Sequence, residues 1–211
     1  MVWKMKIIGI DLAGTPNNQT GFAVIDEKLN TKTKVLYTDE EIKEATLKEK
    51  VRLITIDAPL GLPKGRCCLD YNCECRKYGC MRQAERELVK MGVRTFPCGF
   101  GGMQKLTMRG VALKKFFEDK GFEVIETYPG SAQDLLGIPR KGKDHKPLQK
   151  ALINYGFKED VKNEKITDHE LDAITSALVG DLYLKGKTIA LGIKEESQII
   201  TAMPKGQTTL K

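Results

Sequence analysis

The sequence predicts an α/β fold in which helices pack on a sheet. Short apolar runs rich in β-branched residues recur along the chain, and helical patterns separate them. The first run, Ile7–Ile10, is apolar on both faces, which is typical of a buried central strand. Two runs end on an acid shortly before a Gly- or Pro-containing break, at Asp11 and Asp57. Parallel strands would bring both acids to the edge where open α/β sheets bind ligands.

Composition indicates a soluble globular protein. The chain has 211 residues, of which 41% are hydrophobic and 30% are charged, enough for a sizeable core. We expect residues 1–211 to form a single domain with an insertion at 64–102. There is no apolar run long enough to span a membrane and no signal-peptide pattern, so a cytoplasmic location is expected. The 35 basic and 28 acidic side chains give a net charge of +7, which suits a polyanionic partner but also an ordinary basic surface.

The segment 6–26 predicts two strands joined by a turn. The first strand ends at Asp11, a Gly/Pro/Asn cluster makes the turn, and the second strand covers Gly21–Ile25. An acid at the end of a buried strand is costly unless it is paired or bound to a cation. Asp11 is therefore a candidate metal ligand, and capping of the turn by its own side chain is the alternative.

The next elements repeat this pattern. Residues 32–37 predict an outer strand, and Thr38 begins a helix that runs to about Lys50 with acids in its first turn. Val51–Asp57 is again a strand that ends on an acid. Two acids at one edge of a sheet indicate a metal site better than either acid alone.

All six cysteines lie between Cys67 and Cys98, within the insertion. In a cytosolic chain, clustered cysteines favour metal binding through thiolates over disulfides. A structural zinc ion and an iron–sulfur cluster are the candidate groups. Unliganded cysteines and a disulfide are the alternatives. The candidate ligands are Cys68, Cys73, Cys75, Cys80 and Cys98.

The same insertion is strongly basic. If the protein binds a nucleic acid, we expect the binding surface here and at the basic loop 140–146. A solvated face with ordinary ion pairs is the alternative. The basic residues of the insertion are Lys64, Arg66, Arg76, Lys77, Arg82, Arg86 and Arg94.

The middle of the chain predicts a helix followed by a strand. Gly99–Gly102 lacks the Lys-Ser/Thr pair of a phosphate-binding loop and predicts a flexible hinge instead. A helix over Gln104–Lys120 precedes a strand over Phe122–Thr127. Glu126, near the end of that strand, is a third candidate acid at the sheet edge.

Two shorter helices are expected before the last strong element. Ser131 is predicted to cap the first helix, which ends at Leu136. The second helix lies around Pro147–Tyr155, and the segment between the two is basic and loop-like.

The segment Thr167–Leu184 predicts a long helix with a capping box formed by Thr167 and Glu170. Asp168 and Asp172 are four residues apart, and His169 lies within reach of Asp172. Two like charges at this spacing repel each other, so a compensating group is expected. Acids that complement the helix dipole are the alternative, which explains Asp168 better than Asp172 because Asp172 lies beyond the first turn.

Together these motifs resemble a known fold family. The strand–Asp11–turn–strand unit, the acid at Asp57 and a last helix bearing H-x-x-D-A at His169–Ala173 are similar to ribonuclease H-like nucleases, and the last motif is similar to Holliday-junction resolvases of the RuvC type. More narrowly, GIDLAG, IDAPLGLP, R-x-x-E-R-E-L, ETYPGSA and DHELDA in this order resemble the domain of unknown function 429, a family grouped with predicted nucleases of that fold. The resemblance covers about residues 5–185 and implies a mixed sheet flanked by helices, and the cysteine cluster departs from the resolvases.

The resemblance implies a metal-dependent nuclease that hydrolyses phosphodiester bonds of DNA or RNA. Its cofactor would be a pair of Mg²⁺ or Mn²⁺ ions about 3.5–4 Å apart. Asp11 would bridge both ions, while Asp57 or Glu126, and Asp172, would each hold one side. His169 would act as a ligand or a proton shuttle, and Asp168 would be an additional ligand.

Two other classes of function fit parts of the sequence. GIDLAGTPNNQTGFAVID also resembles the first phosphate loop of actin-like and sugar-kinase ATPases, which implies a nucleotide-binding phosphotransferase. A chain of 211 residues without a second such loop argues against this class. In a third interpretation, the acids only hold the structure of a non-catalytic module that binds nucleic acid or protein. Metal-dependent cleavage and nucleotide hydrolysis distinguish the three.

Overall fold

Eight strands form one mixed sheet in the structure, a computed structural model that describes residues 6–204. In chain order, β1 to β8 are Lys6–Asp11, Thr20–Asp26, Asn30–Leu36, Leu53–Asp57, Glu123–Thr127, Lys158–Glu159, Thr188–Leu191 and Ile199–Ala202. Across the sheet the order is β6-β3-β2-β1-β4-β5-β8-β7. Neighbours among β1, β2 and β3 are antiparallel, whereas β4, β5 and β8 run parallel to β1. Short β6 pairs in parallel with β3, and β7 closes the other edge antiparallel to β8.

Helices cover both faces of the sheet. In chain order, α1 to α6 are Asp39–Leu47, Gln83–Lys90, Gly101–Glu118, Pro129–Leu136, Lys146–Tyr155 and Asp168–Leu184, and 3₁₀ turns occur at Glu74–Tyr78, Asp160–Lys162 and Lys194–Glu196. One face packs against α1 and α3, and the other packs against α4, α5 and α6. An antiparallel half joined through β1 to a parallel half, with helices on both faces, confirms the ribonuclease H-like fold class. Among the helices described, none combines the length and apolarity that a membrane crossing requires.

The alternation of side chains along β1 decides which face each residue serves. Ile8 and Ile10 are fully buried in the cluster beneath α1 and α3. Ile7 belongs to the opposite cluster, together with Ala173 of α6. Because side chains alternate with a period of two, Asp11 lies on the same face as Ile7, towards α6.

Helix α6 lies directly on the first two strands. Its first turn is fixed by a capping box, in which Thr167 and Glu170 satisfy each other's backbone amides as the sequence predicts. The close approach requires glycine on the sheet, since a Cβ at Gly9 would overlap the carbonyl oxygen of Ala173 and one at Gly21 would overlap that of His169. The first turns of α6 are therefore held against the carboxyl end of β1.

Several local expectations differ from the structure. Ser131 does not cap α4 but lies inside it, since the helix begins two residues earlier at Pro129. Proline is favoured at the first helical position because the backbone N–H that it lacks would have no partner there. Gly101 and Gly102 form the first turn of α3 instead of a hinge. The strands β7 and β8 were not predicted from the sequence.

These two strands give the basic insertion its apolar support. Ala84 and Leu88 of α2, together with Val93, pack against Leu191 of β7 and Ile199 of β8 in a small separate core. The insertion is thus anchored to the far edge of the sheet.

Candidate functional site

Two carboxylates lie side by side at the carboxyl edge of the sheet. The parallel register of β1 and β4 pairs Asp11 directly with Asp57. Ile7 and Leu53 both belong to the core beneath α6. Asp11 and Asp57 each follow one of them by four residues, so both acids lie on the same face of the sheet. Asp11 is buried and Asp57 is half-buried. The sheet itself therefore brings two negative charges together.

Helix α6 adds three further groups from its first two turns. The ring nitrogen Nδ1 of His169 lies 2.7 Å from Oδ2 of Asp11. Asp172 is buried one turn further along, where its Oδ1 accepts a hydrogen bond of 2.8 Å from Gln133 of α4. Asp168 stands at the more exposed entrance of the cluster. The carboxylates expected from two strand ends and one helix face thus converge in space.

A lysine from the basic loop between α4 and α5 lies among these acids. The ammonium Nζ of Lys141 is 2.8 Å from Oδ2 of Asp172, 3.2 Å from Oδ2 of Asp168 and 4.0 Å from Oδ2 of Asp11. Partial burial alone would lower the pKa of Lys141, but Asp172 and Asp11 raise it above its usual range. Lys141 therefore stays protonated and supplies a positive charge at the centre of the cluster.

The acids still carry more negative charge than their surroundings balance. Burial, followed by the nearby carboxylates of Asp11 and Asp172, raises the pKa of Asp57 well above its usual range. Burial also raises the pKa of Asp172, although Lys141 opposes the shift. The hydrogen bond to Asp11 raises the pKa of His169. A raised carboxyl pKa means that ionisation is disfavoured there, so the cluster favours an additional cation.

The donor set fits a hard divalent cation. Carboxylate oxygens are the ligands that Mg²⁺ and Mn²⁺ prefer, and Mg²⁺ needs only one or two from the protein because it keeps several waters. Within residues 6–204, only a cysteine group described below has three or more metal-ligating side chains whose ligand atoms all lie within 4.8 Å of one another. The carboxylates are more widely spaced around the Lys141 ammonium. Cation binding would therefore require Lys141 to move and the carboxylates to draw closer.

Glu126 does not join this cluster, contrary to the expectation from the sequence. In the register of β4 and β5 it is opposite Ile56, so it lies on the α3 face of the sheet. Its carboxylate accepts hydrogen bonds of 2.7 and 2.6 Å from the guanidinium of Arg82 and one of 2.8 Å from the amide of Leu60. The side chain of Arg82 is only 1% exposed and also pairs with Glu85 at 3.0 Å. Both Glu126 and Arg82 are therefore committed to a buried ion-pair network.

Several of the basic residues expected to bind a polyanion instead bond to other groups of the protein. Arg82 is buried as described, and Arg66 donates to backbone carbonyls within its own loop. Arg140 makes a two-point ion pair with Asp134, with distances of 2.8 and 2.6 Å. Arg86 is exposed, so it stays available to a ligand, whereas Lys141 is the basic group that reaches the acids.

Arg109, which was not singled out in the sequence, contacts the turn beside the site from the α3 face of the sheet. Arg109 of α3 is buried and forms an ion pair with Asp39. Its guanidinium also donates to the carbonyl oxygens of Ala13 at 2.7 Å and Tyr37 at 2.6 Å. Arg109 thereby fixes the turn that directly follows Asp11.

A cavity of about 210 Å³ opens beside the carboxylates. Its lining includes the carboxylates of Asp11 and Asp57, the ion-pair network of Arg82, Glu85 and Glu126, and apolar side chains such as Leu12, Phe96 and Leu106. Phe96 is 66% exposed and stacks on Phe100 with ring centroids 6.0 Å apart. For comparison, an apolar cavity of roughly 150 Å³ accepts benzene in another protein, so this space is large enough for one heteroaromatic ring.

The cysteines form a separate group in the loop before α2. The thiol sulfurs of Cys67, Cys68, Cys73 and Cys75 all lie within 4.8 Å of one another. Cys80 and Cys98, included in the ligand set expected from the sequence, lie outside this group, and Cys67, left out of that set, completes it. Cys98 is buried elsewhere and its thiol donates to the carbonyl oxygen of Cys80. Burial alone would raise the pKa of Cys75, but hydrogen bonds from its cysteine neighbours lower it to about 6.

The chain thus has an α/β fold of the ribonuclease H-like class, with a cluster of acids at the carboxyl edge of its sheet. No family model matches the chain. An RNA replication polyprotein of Blueberry scorch virus is 29% identical in an alignment 99 residues long that covers 38% of this chain. The match spans only 5% of the length of that polyprotein.

Two solved structures are similar over most of the chain. RuvC from T. thermophilus in complex with a Holliday junction substrate aligns with a TM-score of 0.49 and 14% identity. The structure of Thermus thermophilus RuvC aligns with a TM-score of 0.46 and 14% identity. Each alignment covers 92% of this chain and 99% of the other. Function is therefore inferred from the side chains of the site.

Proposed function

We propose that the protein is a divalent-cation-dependent nuclease that hydrolyses phosphodiester bonds of DNA or RNA, as predicted for the ribonuclease H-like family of domain of unknown function 429, which its motifs resemble. The observation that carries this proposal is the convergence of Asp11, Asp57 and Asp172 around the single ammonium of Lys141. An excess of buried carboxylate over positive charge is what a site for cations and a phosphate backbone requires.

Asp11, Asp57 and Asp172 would hold Mg²⁺ or Mn²⁺, with Asp168 as an additional ligand at the entrance. When bound, these ions would lower the pKa of the attacking water and stabilise charge on the leaving oxygen. Gln133 fixes the orientation of Asp172 through its hydrogen bond of 2.8 Å. His169 holds Asp11 in the same way and, when protonated, would carry a proton that can pass to the leaving oxygen.

Lys141 would have two positions in this proposal. Without a divalent cation, its ammonium neutralises the carboxylates. When a cation takes that place, the flexible lysine side chain is free to contact a non-bridging phosphate oxygen, for which an ammonium is a suitable point charge.

A nucleic acid as substrate is supported by the surface beside the acids. Exposed Phe96 lines the cavity and stacks on exposed Phe100, and aromatic faces stack on unpaired bases. The loop that carries Lys141 also carries Lys143, and Lys146 begins α5 directly after it; both can contact neighbouring phosphates. A strand with an unpaired base near the scissile phosphate would therefore fit this edge better than an uninterrupted duplex.

The direct test is cleavage of a labelled panel of branched, single-stranded and duplex DNA and RNA with Mg²⁺ or Mn²⁺. Reactions without added divalent cation serve as the blank, since a chelator would also disturb the cysteine group. We expect Asp11→Asn to lose more than about 100-fold in rate, because removing a group that only hydrogen-bonds to a metal ligand already costs up to that much. Binding by Asp11→Asn should be retained or tighter, because a negative charge near the phosphates is removed.

The matched control is Asp181→Asn, which removes an acid from the same helix, where it pairs with Lys185 and not with the cluster. Cleavage by this variant should equal that of the original protein. Binding that falls steeply with salt would accompany cleavage, because each neutralised phosphate releases counterions. Binding without cation-dependent cleavage would replace the nuclease with a non-catalytic module, and hydrolysis of nucleoside triphosphates alone would favour the phosphotransferase class.

A further inference from the structure

The loop formed by residues 66–80 has little apolar support of its own. Its regular structure is limited to the 3₁₀ turn Glu74–Tyr78, and within this loop only Leu69 and Cys75 are buried. Tyr71 and Tyr78 are each 50% exposed. A segment that buries so few side chains requires another source of order, such as a metal ion.

Four thiols meet at the centre of this loop with the spacing of a single metal site. The sulfurs of Cys67 and Cys73 are 3.6 Å apart, and those of Cys68 and Cys75 are 3.8 Å apart. A tetrahedral zinc site with Zn–S bonds of about 2.3 Å has sulfur–sulfur edges of about 3.8 Å. Two of the six sulfur–sulfur edges therefore match such a tetrahedron, and the other four are no longer than 4.8 Å.

We propose that Cys67, Cys68, Cys73 and Cys75 bind one structural Zn²⁺ ion that orders the loop before α2. Each cysteine binds as a thiolate and releases its proton to solvent, and the four sulfurs close the coordination sphere. This site is independent of the carboxylate cluster and of whether the protein cleaves nucleic acid.

The spacing decides against the other uses of these cysteines. In a cluster with two or four irons, thiolates bound to different irons lie farther apart than the 4.8 Å that bounds all the sulfur–sulfur distances here. A disulfide needs an S–S distance of about 2.05 Å, and all six cysteines are free. A single ion at the centre of the four thiols fits both observations.

The rest of the loop is arranged around this ion. The guanidinium of Arg66 donates to the carbonyl oxygens of Cys68 at 2.8 Å and Gly79 at 3.1 Å, so it ties the two ends of the loop together. Four thiolates and one Zn²⁺ leave a net charge of −2. The cationic side chains of Arg66, Arg76 and Lys77 lie in the same loop and offset that charge.

The ion would also fix the surface that this loop presents. Arg76 lies over the ring of Tyr71 at 5.3 Å, and Lys77 lies over the ring of Tyr78 at 5.4 Å. The hydroxyl oxygen of Tyr71 lies 3.4 Å from where a Cβ would stand on Gly101, at the start of α3. Zinc would thus hold the pair of Tyr71 and Arg76 beside the start of α3, the helix that borders the cavity.

The experiment uses the full chain, purified without chelator, with metal content measured by elemental analysis. Zinc should be present at one ion per chain. Titration of the native protein with a mercurial reagent, beside a zinc-sensitive dye, should release that zinc as four thiols react. Because this titration needs no variant, it tests the site even if a substituted protein fails to fold.

Two variants then assign the ligands. Cys73→Ser should lose the zinc, whereas Cys80→Ser should retain it, because Cys80 is an exposed cysteine of the same loop outside the group. Removal of zinc should expose the peptide bonds after Arg76 and Lys77 to trypsin before the rest of the chain is cut. Iron in place of zinc, a chain without zinc after growth in zinc-supplemented medium, or equal loss in the two variants would overturn the proposal.

Discussion

The ammonium of Lys141 lies 2.8 Å from the carboxylate of Asp172 and contacts Asp168 as well. It stands where a site built of carboxylates would hold a cation. Because the lysine is on a loop and its side chain is 36% exposed, it can leave that position when a bound cation takes over the neutralisation of the carboxylates. Lys141 and a divalent cation are therefore expected to compete for the same carboxylates.

Replacing Lys141 tests this competition. Lys141→Gln removes the positive charge that opposes an incoming cation, so Mn²⁺ should bind about tenfold more tightly, equivalent to about 1.4 kcal/mol. Calorimetric titration with Mn²⁺ measures the change. Lys143→Gln, an exposed lysine of the same loop, is the control and should bind Mn²⁺ as the original protein does. Weaker binding by Lys141→Gln would mean that Lys141 helps to organise the site instead of competing for it.

We expect the ionised carboxylate of Asp57 to lower the free energy of unfolding, although it is a proposed cation ligand. Its folded-state pKa is raised, so the native state loses stability as pH rises above the pKa of about 3.9 for an unfolded aspartate. Asp57→Asn should therefore raise the free energy of unfolding by about 1 kcal/mol at neutral pH and have little effect near pH 3. Chemical denaturation at the two pH values, without added divalent cation, measures this difference. A loss of stability at neutral pH would show that the carboxylate is already compensated, and Asp181→Asn should give no gain at either pH.

Gly9 is required by the close packing of α6 on β1. In Gly9→Ala, the new methyl group would overlap the carbonyl oxygen of Ala173, so the helix must move away from the sheet. We expect a loss of about 3 kcal/mol in unfolding free energy, the upper part of the range for overpacking. Gly142→Ala is the matched control, since a Cβ there meets no atom within 4 Å. Equal stability of the two variants would contradict the described position of α6.

Glu126 is expected to act on stability and not on cation binding. Glu126→Gln removes the charge that balances buried Arg82, although Glu85 still faces that arginine at 3.0 Å. The unfolding free energy should fall by about 3 kcal/mol, the lower end of the cost of breaking a buried ion pair. Mn²⁺ affinity should stay within about twofold of the original value, because both carboxylate oxygens of Glu126 are already bonded to Arg82 and the amide of Leu60. A large loss of Mn²⁺ binding would return Glu126 to the ligand set.

The sequence predicts much of the fold because its strongest signals are local. The capping box of Thr167 and Glu170 and the β-branched run that forms β1 are decided by neighbouring residues. The acids at Asp11 and Asp57 are placed by strand register, which follows once the strands are parallel. The carboxylate cluster could therefore be anticipated before its geometry was known.

The missed features depend on contacts between distant parts of the chain. In β5, Thr127 is the residue opposite Asp57, and Glu126 comes one position earlier. A shift of one position turns a side chain to the opposite face of the sheet, so Glu126 points away from the cluster. Arg82 is 44 residues from Glu126 in sequence, so its burial has no local signal. Lys141 was visible only as one member of a basic run, and nothing in that run marks which lysine reaches the acids.

The most direct test of the central claim is calorimetric titration of the zinc-loaded protein with Mn²⁺, which does not require the substrate to be known. The claim is that Asp11, Asp57 and Asp172 form a site for divalent cations. Thiolates select zinc over Mn²⁺, so the cysteine group should not contribute heat. The account predicts binding by the original protein and by Asp181→Asn, and at least about tenfold weaker binding by Asp172→Asn. Equal binding by Asp172→Asn and Asp181→Asn, or no binding by the original protein, would contradict it.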